Sequence, residues 1–208
     1  MVKQQLRTGD VLDETIIALF DTLPRDEFVP CNFKELAYSD MQIPLAHGQC
    51  MMTPLEEGKL VQALALKGHE TVLEIGTGSG FLTTLLSHLS RNVLSIDYYQ
   101  EFSDHANHKL VEHQRTNVEL ITGDGSRGWL EKAPYDVIIF TGAIEAITET
   151  HRLQIVPGGK LFAIVGKDPI MQGQLHYLDH DDNWHVKLIF ETCIPPLIDK
   201  AKPKEFVF

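Results

Sequence analysis

The chain has 208 residues, 43% of them hydrophobic, which fits one α/β domain with extensions and leaves little room for two independent domains. Acidic residues outnumber basic ones 29 to 18, for a formal net charge of −11, and this argues against a duplex nucleic-acid groove, which needs a clustered basic surface. Cys31, Cys50 and Cys193 are isolated, odd in number and without metal-ligand spacing, which argues against a disulfide framework or a zinc site and fits a reducing compartment.

Taken in order, the opening MVKQQLRTGD has no apolar signal core and no apolar run reaches membrane length, so a cytoplasmic chain with no membrane partner is expected. Asp10 is a candidate cap for a first helix, in which Leu12, Ile16, Leu19, Phe20 and Leu23 form one apolar face before Pro24 stops it. PRDEFVP and a short helix around residues 33–38 lead into MQIPLAHGQCMMTP, an irregular and partly apolar stretch that reads as a lid. Thr53, Pro54 and Glu56 mark a helix start by cap, first-position proline and capping box, and Gly68 is expected to end that helix.

From there the pattern alternates. Strands are expected at 71–75, 92–97, 117–122, 135–140 and 160–165, with helices at about 80–90, 100–114 and 143–154. GQLHYLDHDDNWHVKLIF then reads as a hairpin turning at 181–183, followed by an apolar tail at 194–198. The fold expected is α/β: a doubly wound, Rossmann-like, mostly parallel seven-stranded sheet with a C-terminal antiparallel hairpin and an N-terminal helical extension. Residues 1–208 form one domain in this reading, with helices and lid in 1–70, a ligand-binding core in 71–166 and hairpin and tail in 167–208.

The stretch around which this is organised is VLEIGTGSGF, residues 72–81. Val72, Leu73 and Ile75 read as a buried parallel strand, and Gly76, Gly78 and Gly80 as the turn into a helix, with no Cβ in the way of a ligand and free N–H groups at the helix start. A dinucleotide fingerprint, G-x-G-x-x-G, fails here because Phe81 and Thr83 stand where its third glycine belongs. The pattern present, E-x-G-x-G-x-G from Glu74 to Gly80, resembles the first motif of class I S-adenosylmethionine-dependent methyltransferases. Asp97 ends the next strand, about twenty residues on, where a carboxylate can accept from both ribose hydroxyls.

Nearly the whole chain resembles the protein-L-isoaspartate O-methyltransferase family, through VKQQLR (2–7), PRDEFVP (24–30), AYSD (37–40), PLAHGQ (44–49), VLEIGTGSG (72–80), NVELITGDGSRGW (117–129), APYDVIIFTGA (133–143) and VPGGKL (156–161). The resemblance implies S-adenosylmethionine as cofactor and isoaspartyl residues of damaged proteins as substrate, methylated on the carboxyl. It implies that Glu74, Gly76, Thr77, Gly78, Ser79 and Gly80 line the methionine end. Asp97 and Tyr98 would hold ribose and adenine edge, Asp124 and Gly125 would contact adenine, and Gln49 and Thr141 would border the same ligand. A monomer is expected.

The lid departs from that pattern. The family reads G-Q-T-I-S, one residue, then Pro, and its serine hydroxyl contacts the substrate carboxylate; here Cys50 replaces the threonine and Met52 the serine, while Glu56 and Glu57 stand where apolar residues are usual. Methyl transfer to an already ionised carboxylate requires no general base, so positioning and exclusion of water carry the reaction. Losing one hydroxyl should cost about 1.5–3 kcal/mol, roughly ten- to a hundredfold in rate. Thr53 could supply a hydroxyl, in competition with its capping role, and Met52 could instead mark a different acceptor or a non-catalytic cofactor-binding homologue. His47 and Thr141 are open to a role at the site or a structural one, whereas Cys50 lacks a base partner for a nucleophile. His176, His180 and His185 with Asp179, Asp181 and Asp182 read as a solvated acidic turn, and no metal site is expected.

Overall fold

The computed structural model of the chain describes residues 2–179 and 183–199. Helices α1 (Val2–Thr8) and α2 (Glu14–Thr22) and two 3-10 turns at Arg25–Glu27 and Cys31–Leu36 precede a small antiparallel pair, β1 (Ile43–Pro44) and β2 (Cys50–Met51), and helix α3 (Pro54–Leu64). The core runs β3 (Thr71–Ile75), α4 (Phe81–Leu89), β4 (Asn92–Asp97), α5 (Gln100–Glu112), β5 (Val118–Thr122), β6 (Tyr135–Ile144), α6 (Glu149–Arg152), β7 (Ile155–Lys167), β8 (Ile170–Leu178) and β9 (Trp184–Thr192). The sheet order is β5-β4-β3-β6-β7-β8-β9. β3 to β7 are parallel, and β8 and β9 add on antiparallel. The α/β, seven-stranded, mostly parallel expectation holds.

Alternation along β3 sends side chains to two cores. Val72 joins α3, α4 and the N-terminal helices through Leu60, Leu64, Phe81 and Leu85, while Leu73 and Ile75 pack on the other face with Leu94, Ile96, Ile138 and Phe140. The chain leaves β3 towards β4 and β5, then returns to its other side with β6. That reversal opens a crevice at the strands' carboxyl ends, where open α/β sheets bind ligands.

Several local expectations are corrected. Asp13, not Asp10, caps α2, accepting from Thr15 N at 2.8 Å and Ile16 N at 3.2 Å. Asp10 sits at φ 68 in the turn that ends α1, a helix the apolar pattern did not disclose. The short helix near 33–38 is the 3-10 turn Cys31–Leu36, and the lid contains the β1–β2 pair. Helix α3 ends at Leu64 with Ala65 left-handed, ahead of Gly68. The helix expected over 143–154 is only α6, because β6 continues through Ile144, pairing Ala143 with Ile164 and Ile144 with Val165. β8 and β9 form the expected hairpin, and a second tight turn joins β7 to β8. Residues 180–182, including His180, Asp181 and Asp182, lie outside the described residues; beside them Asp179 bonds His185 at 2.6 Å.

Candidate active site

The glycine loop is shaped by its surroundings as much as by any ligand. Gly76 has φ 102, and a Cβ there would lie 2.1 Å from Thr141 Oγ1, whose hydroxyl donates to Gly76 O at 2.7 Å and approaches Ile75 O at 3.0 Å. Gly78 has φ 52 with nothing nearer than 3.4 Å, so the space beside it is open cleft. Gly80 has φ 80 and faces Ala106 of α5 at 2.8 Å; it lies outside the cleft and serves helix packing.

Glu74 does not reach the cleft. It shares a β3 face with Val72, so its side chain enters the layer between sheet and α4, fully buried. Thr83 Oγ1 donates to Oε2 at 2.5 Å and Ser95 Oγ at 2.6 Å, while Oε1 has no hydrogen-bond partner among the described residues. Burial pushes this carboxyl up to about 7, against the pull of those two hydroxyls. Thr77 is likewise tied inward, 2.6 Å from Ser95, although it still lines the cleft with Ser79.

Asp97 ends β4 as expected. Oδ2 accepts from Gly78 N and Oδ1 from Tyr99 N, both at 2.9 Å, so the carboxylate fixes the glycine loop to the end of the next strand. Burial raises its pKa even so. Tyr98, Gly125 and Thr141 line the same cleft; Gly125 packs on Ile75 and Ile96, and Asp124, half-buried beside it, accepts from Ser126 N at 3.0 Å without lining the cleft.

The lid closes the opposite wall. Gln49, Cys50 and Met52 line the cleft. The Met52 carbonyl accepts from Arg25 Nη2 at 2.7 Å, and the buried Arg25 also donates Nε–H to Ala37 O at 2.9 Å and Nη1–H to Glu57 Oε2. Cys50 donates to Gln42 at 3.6 Å, and burial, with Glu56 and Cys193 nearby, raises its thiol to about 11, which leaves it un-ionised. Thr53 lies outside the cleft as the α3 cap: Oγ1 accepts from Glu56 N at 3.1 Å and Glu56 Oε2 accepts from Thr53 N at 2.7 Å. His47 also lies outside, at φ 56 on the lid turn, stacked on Tyr99 with centroids 3.9 Å apart and its Nε2 3.0 Å from Glu101.

The glycine loop, the ends of β4 and β6, the lid and the C-terminal tail line one cleft. Two of its walls escaped sequence reasoning. Glu57 stands out in the sequence only as a departure from the family pattern and its partner Arg25 only as part of PRDEFVP, and the apolar tail proves to be a strap in which Ile194, Pro195, Leu197 and Ile198 line the cleft. Two backbone bonds anchor it, Ala143 N to Pro195 O at 3.1 Å and Leu197 N to Ala143 O at 2.9 Å. No cluster of three potential metal ligands occurs among the described residues. No helix among them is long and apolar enough to cross a membrane.

Comparison with known proteins finds relatives along nearly the whole chain. The family model described as Protein-L-isoaspartate(D-aspartate) O-methyltransferase (PCMT) matches residues 1–202. A Protein-L-isoaspartate O-methyltransferase of Caulobacter vibrioides is 36% identical over 93% of this chain and 87% of its own length, and one of Methanoculleus marisnigri is 36% identical over 80% and 76%. Among solved structures, a protein-L-isoaspartate O-methyltransferase superposes with a TM-score of 0.79 at 23% identity, covering 95% of this chain, which spans 65% of that longer one. A Plasmodium falciparum beta-aspartate methyltransferase, solved with S-adenosyl-L-homocysteine, superposes at 0.77 and 15% identity, covering 95% and 96%. These two establish the fold, and the sequence matches establish more: the chain belongs to the protein-L-isoaspartate(D-aspartate) O-methyltransferase family.

Proposed function

We propose that the chain transfers the methyl group of S-adenosylmethionine to the carboxyl of isoaspartyl residues in damaged proteins, as a cytoplasmic monomer in which 1–70, 71–166 and 167–208 work as one unit. The observation that carries this reading is the single cleft in which Gly76 to Ser79, Asp97 and Tyr98 meet the lid residues Gln49 to Met52. Three free cysteines among the described residues support a reducing compartment.

When bound, the cofactor offers a sulfonium methyl, to which a carboxylate oxygen bonds as the C–S pair stays on sulfur, leaving a methyl ester and S-adenosylhomocysteine. The residues fit such a ligand: Gly78 leaves open space, Asp97 presents carboxylate lone pairs at a fixed position, and lid and strap cover the rest. Asp97 and Tyr98 hold the ribose side, Gly125 borders the adenine with Asp124 beside it outside the cleft, Gly76 to Ser79 surround the methionine end, and the lid excludes water from the acceptor.

A second reading keeps the cofactor and changes the acceptor, and Met52 favours it: it lines the cleft at the position where the family has a serine, and a thioether cannot donate to a carboxylate. Radiolabelled methyl transfer to an isoaspartyl peptide and to its aspartyl twin separates the two, alongside calorimetry with S-adenosylhomocysteine. Transfer confined to the isoaspartyl peptide supports the first reading; tight binding without transfer to either peptide supports the second.

A further inference from the structure

Among the described residues that line the cleft, Glu57 and Asp97 are the acidic ones and none is cationic. Asp97 is held by backbone N–H groups at the end of β4, and Glu74 is turned away into the layer beneath α4. The carboxyl bordering the lid side of the glycine loop is therefore that of Glu57, in the first turn of α3 and only 2% exposed.

Its two oxygens differ. Oε2 accepts from Arg25 Nη1, whereas Oε1 has no hydrogen-bond partner among the described residues, although the group faces the cleft. Arg25 is itself fixed: it donates to the Met52 and Ala37 carbonyls, and its guanidinium carbon lies 4.8 Å from the Phe81 ring centroid, where the glycine loop enters α4. The carboxyl is thus preorganised at the junction of lid and glycine loop with one accepting oxygen unused. Burial and the neighbouring Glu56 and Glu74 push it up to about 8 despite Arg25, and a cation at the unused oxygen would draw it back to the carboxylate form.

A buried carboxylate with an idle oxygen is satisfied best by a charged N–H donor. Of the parts of S-adenosylmethionine, the methionine end alone carries an ammonium. We propose that Glu57 Oε1 accepts the α-ammonium of the cofactor, with Arg25 holding the carboxyl from behind. This rests on the reading that the cleft takes S-adenosylmethionine, and it places the charged contact at the methionine end on Glu57 rather than on Glu74.

Calorimetry on the full chain tests it with two ligands, S-adenosylhomocysteine, which carries the amino-acid end, and 5′-methylthioadenosine, which lacks it. Glu57→Gln keeps an oxygen for Arg25 and removes the charge; it is expected to weaken S-adenosylhomocysteine about ten- to a hundredfold and leave methylthioadenosine within about twofold. Glu57→Asp keeps the charge but draws it back, and an intermediate loss confined to S-adenosylhomocysteine is expected, so the proposal stays testable if the glutamine variant does not fold. Unchanged S-adenosylhomocysteine affinity in both variants, or equal loss of both ligands in Glu57→Asp, would overturn it. Failure of the wild-type chain to bind S-adenosylhomocysteine at all would instead overturn the cofactor reading, and this proposal with it.

Discussion

Ser95 on β4 stands opposite Glu74 on β3 in the parallel register, and its hydroxyl donates to Glu74 Oε2 at 2.6 Å in a site sealed from solvent. Because the folded carboxyl is raised to about 7, above an unfolded value near 4.3, its contribution to stability is complete below about pH 4 and is lost as pH rises through about 7. The loss between pH 5 and pH 8 is expected to reach about 3 kcal/mol at most. Glu74→Gln should flatten that slope in urea unfolding across this range. An unchanged slope would mean that the carboxyl titrates as it does in the unfolded chain.

Alanine at Gly76 and at Gly78 should separate crowding from backbone strain. Gly76→Ala drives a methyl into Thr141 Oγ1 and is expected to cost about 2–3 kcal/mol in unfolding free energy and at least about tenfold in S-adenosylhomocysteine affinity. At Gly78 there is room, and about 1 kcal/mol from its positive φ is the expected cost. Equal losses at both positions would show that Thr141 yields.

Restoring the hydroxyl is expected to trade stability for rate. Met52 is 5% exposed, and Met52→Ser should lose about 2–4 kcal/mol in denaturant unfolding. Its kcat/KM for an isoaspartyl peptide should rise about ten- to a hundredfold, measured well below the melting temperature. No rise in a folded variant would show that this lid orients its acceptor without position 52.

His47 should matter little to the chemistry. Its ring stacks on Tyr99 outside the cleft, and its bond to Glu101 is solvent-exposed, 37% and 66% by side chain, so the ion pair is expected to be worth under about 1 kcal/mol. His47→Ala should change kcat by less than about threefold across pH 6–8. A hundredfold fall would put the imidazole beside the reacting atoms.

What the sequence by itself determined is the local grammar of the core. Thr71–Ile75 and Asn92–Asp97 appear at their expected limits because uninterrupted apolar runs have no stable place except a buried parallel sheet. The Thr53 capping box is legible because its partners lie within a few residues, and the glycine turn because closely spaced glycines mark backbone of positive φ. Tertiary structure decided what depends on distant partners. Ala143 continues a strand rather than starting a helix because β7 and the strap at Pro195–Leu197 claim its backbone groups. Glu74, part of the motif, faces inward because strand alternation puts it under α4, while Glu57, part of a plain helix start, borders the cleft because Arg25, 32 residues earlier, holds its carboxyl there. Spacing along a chain assigns a residue to an element and a face; which face meets a cleft is settled when the elements pack.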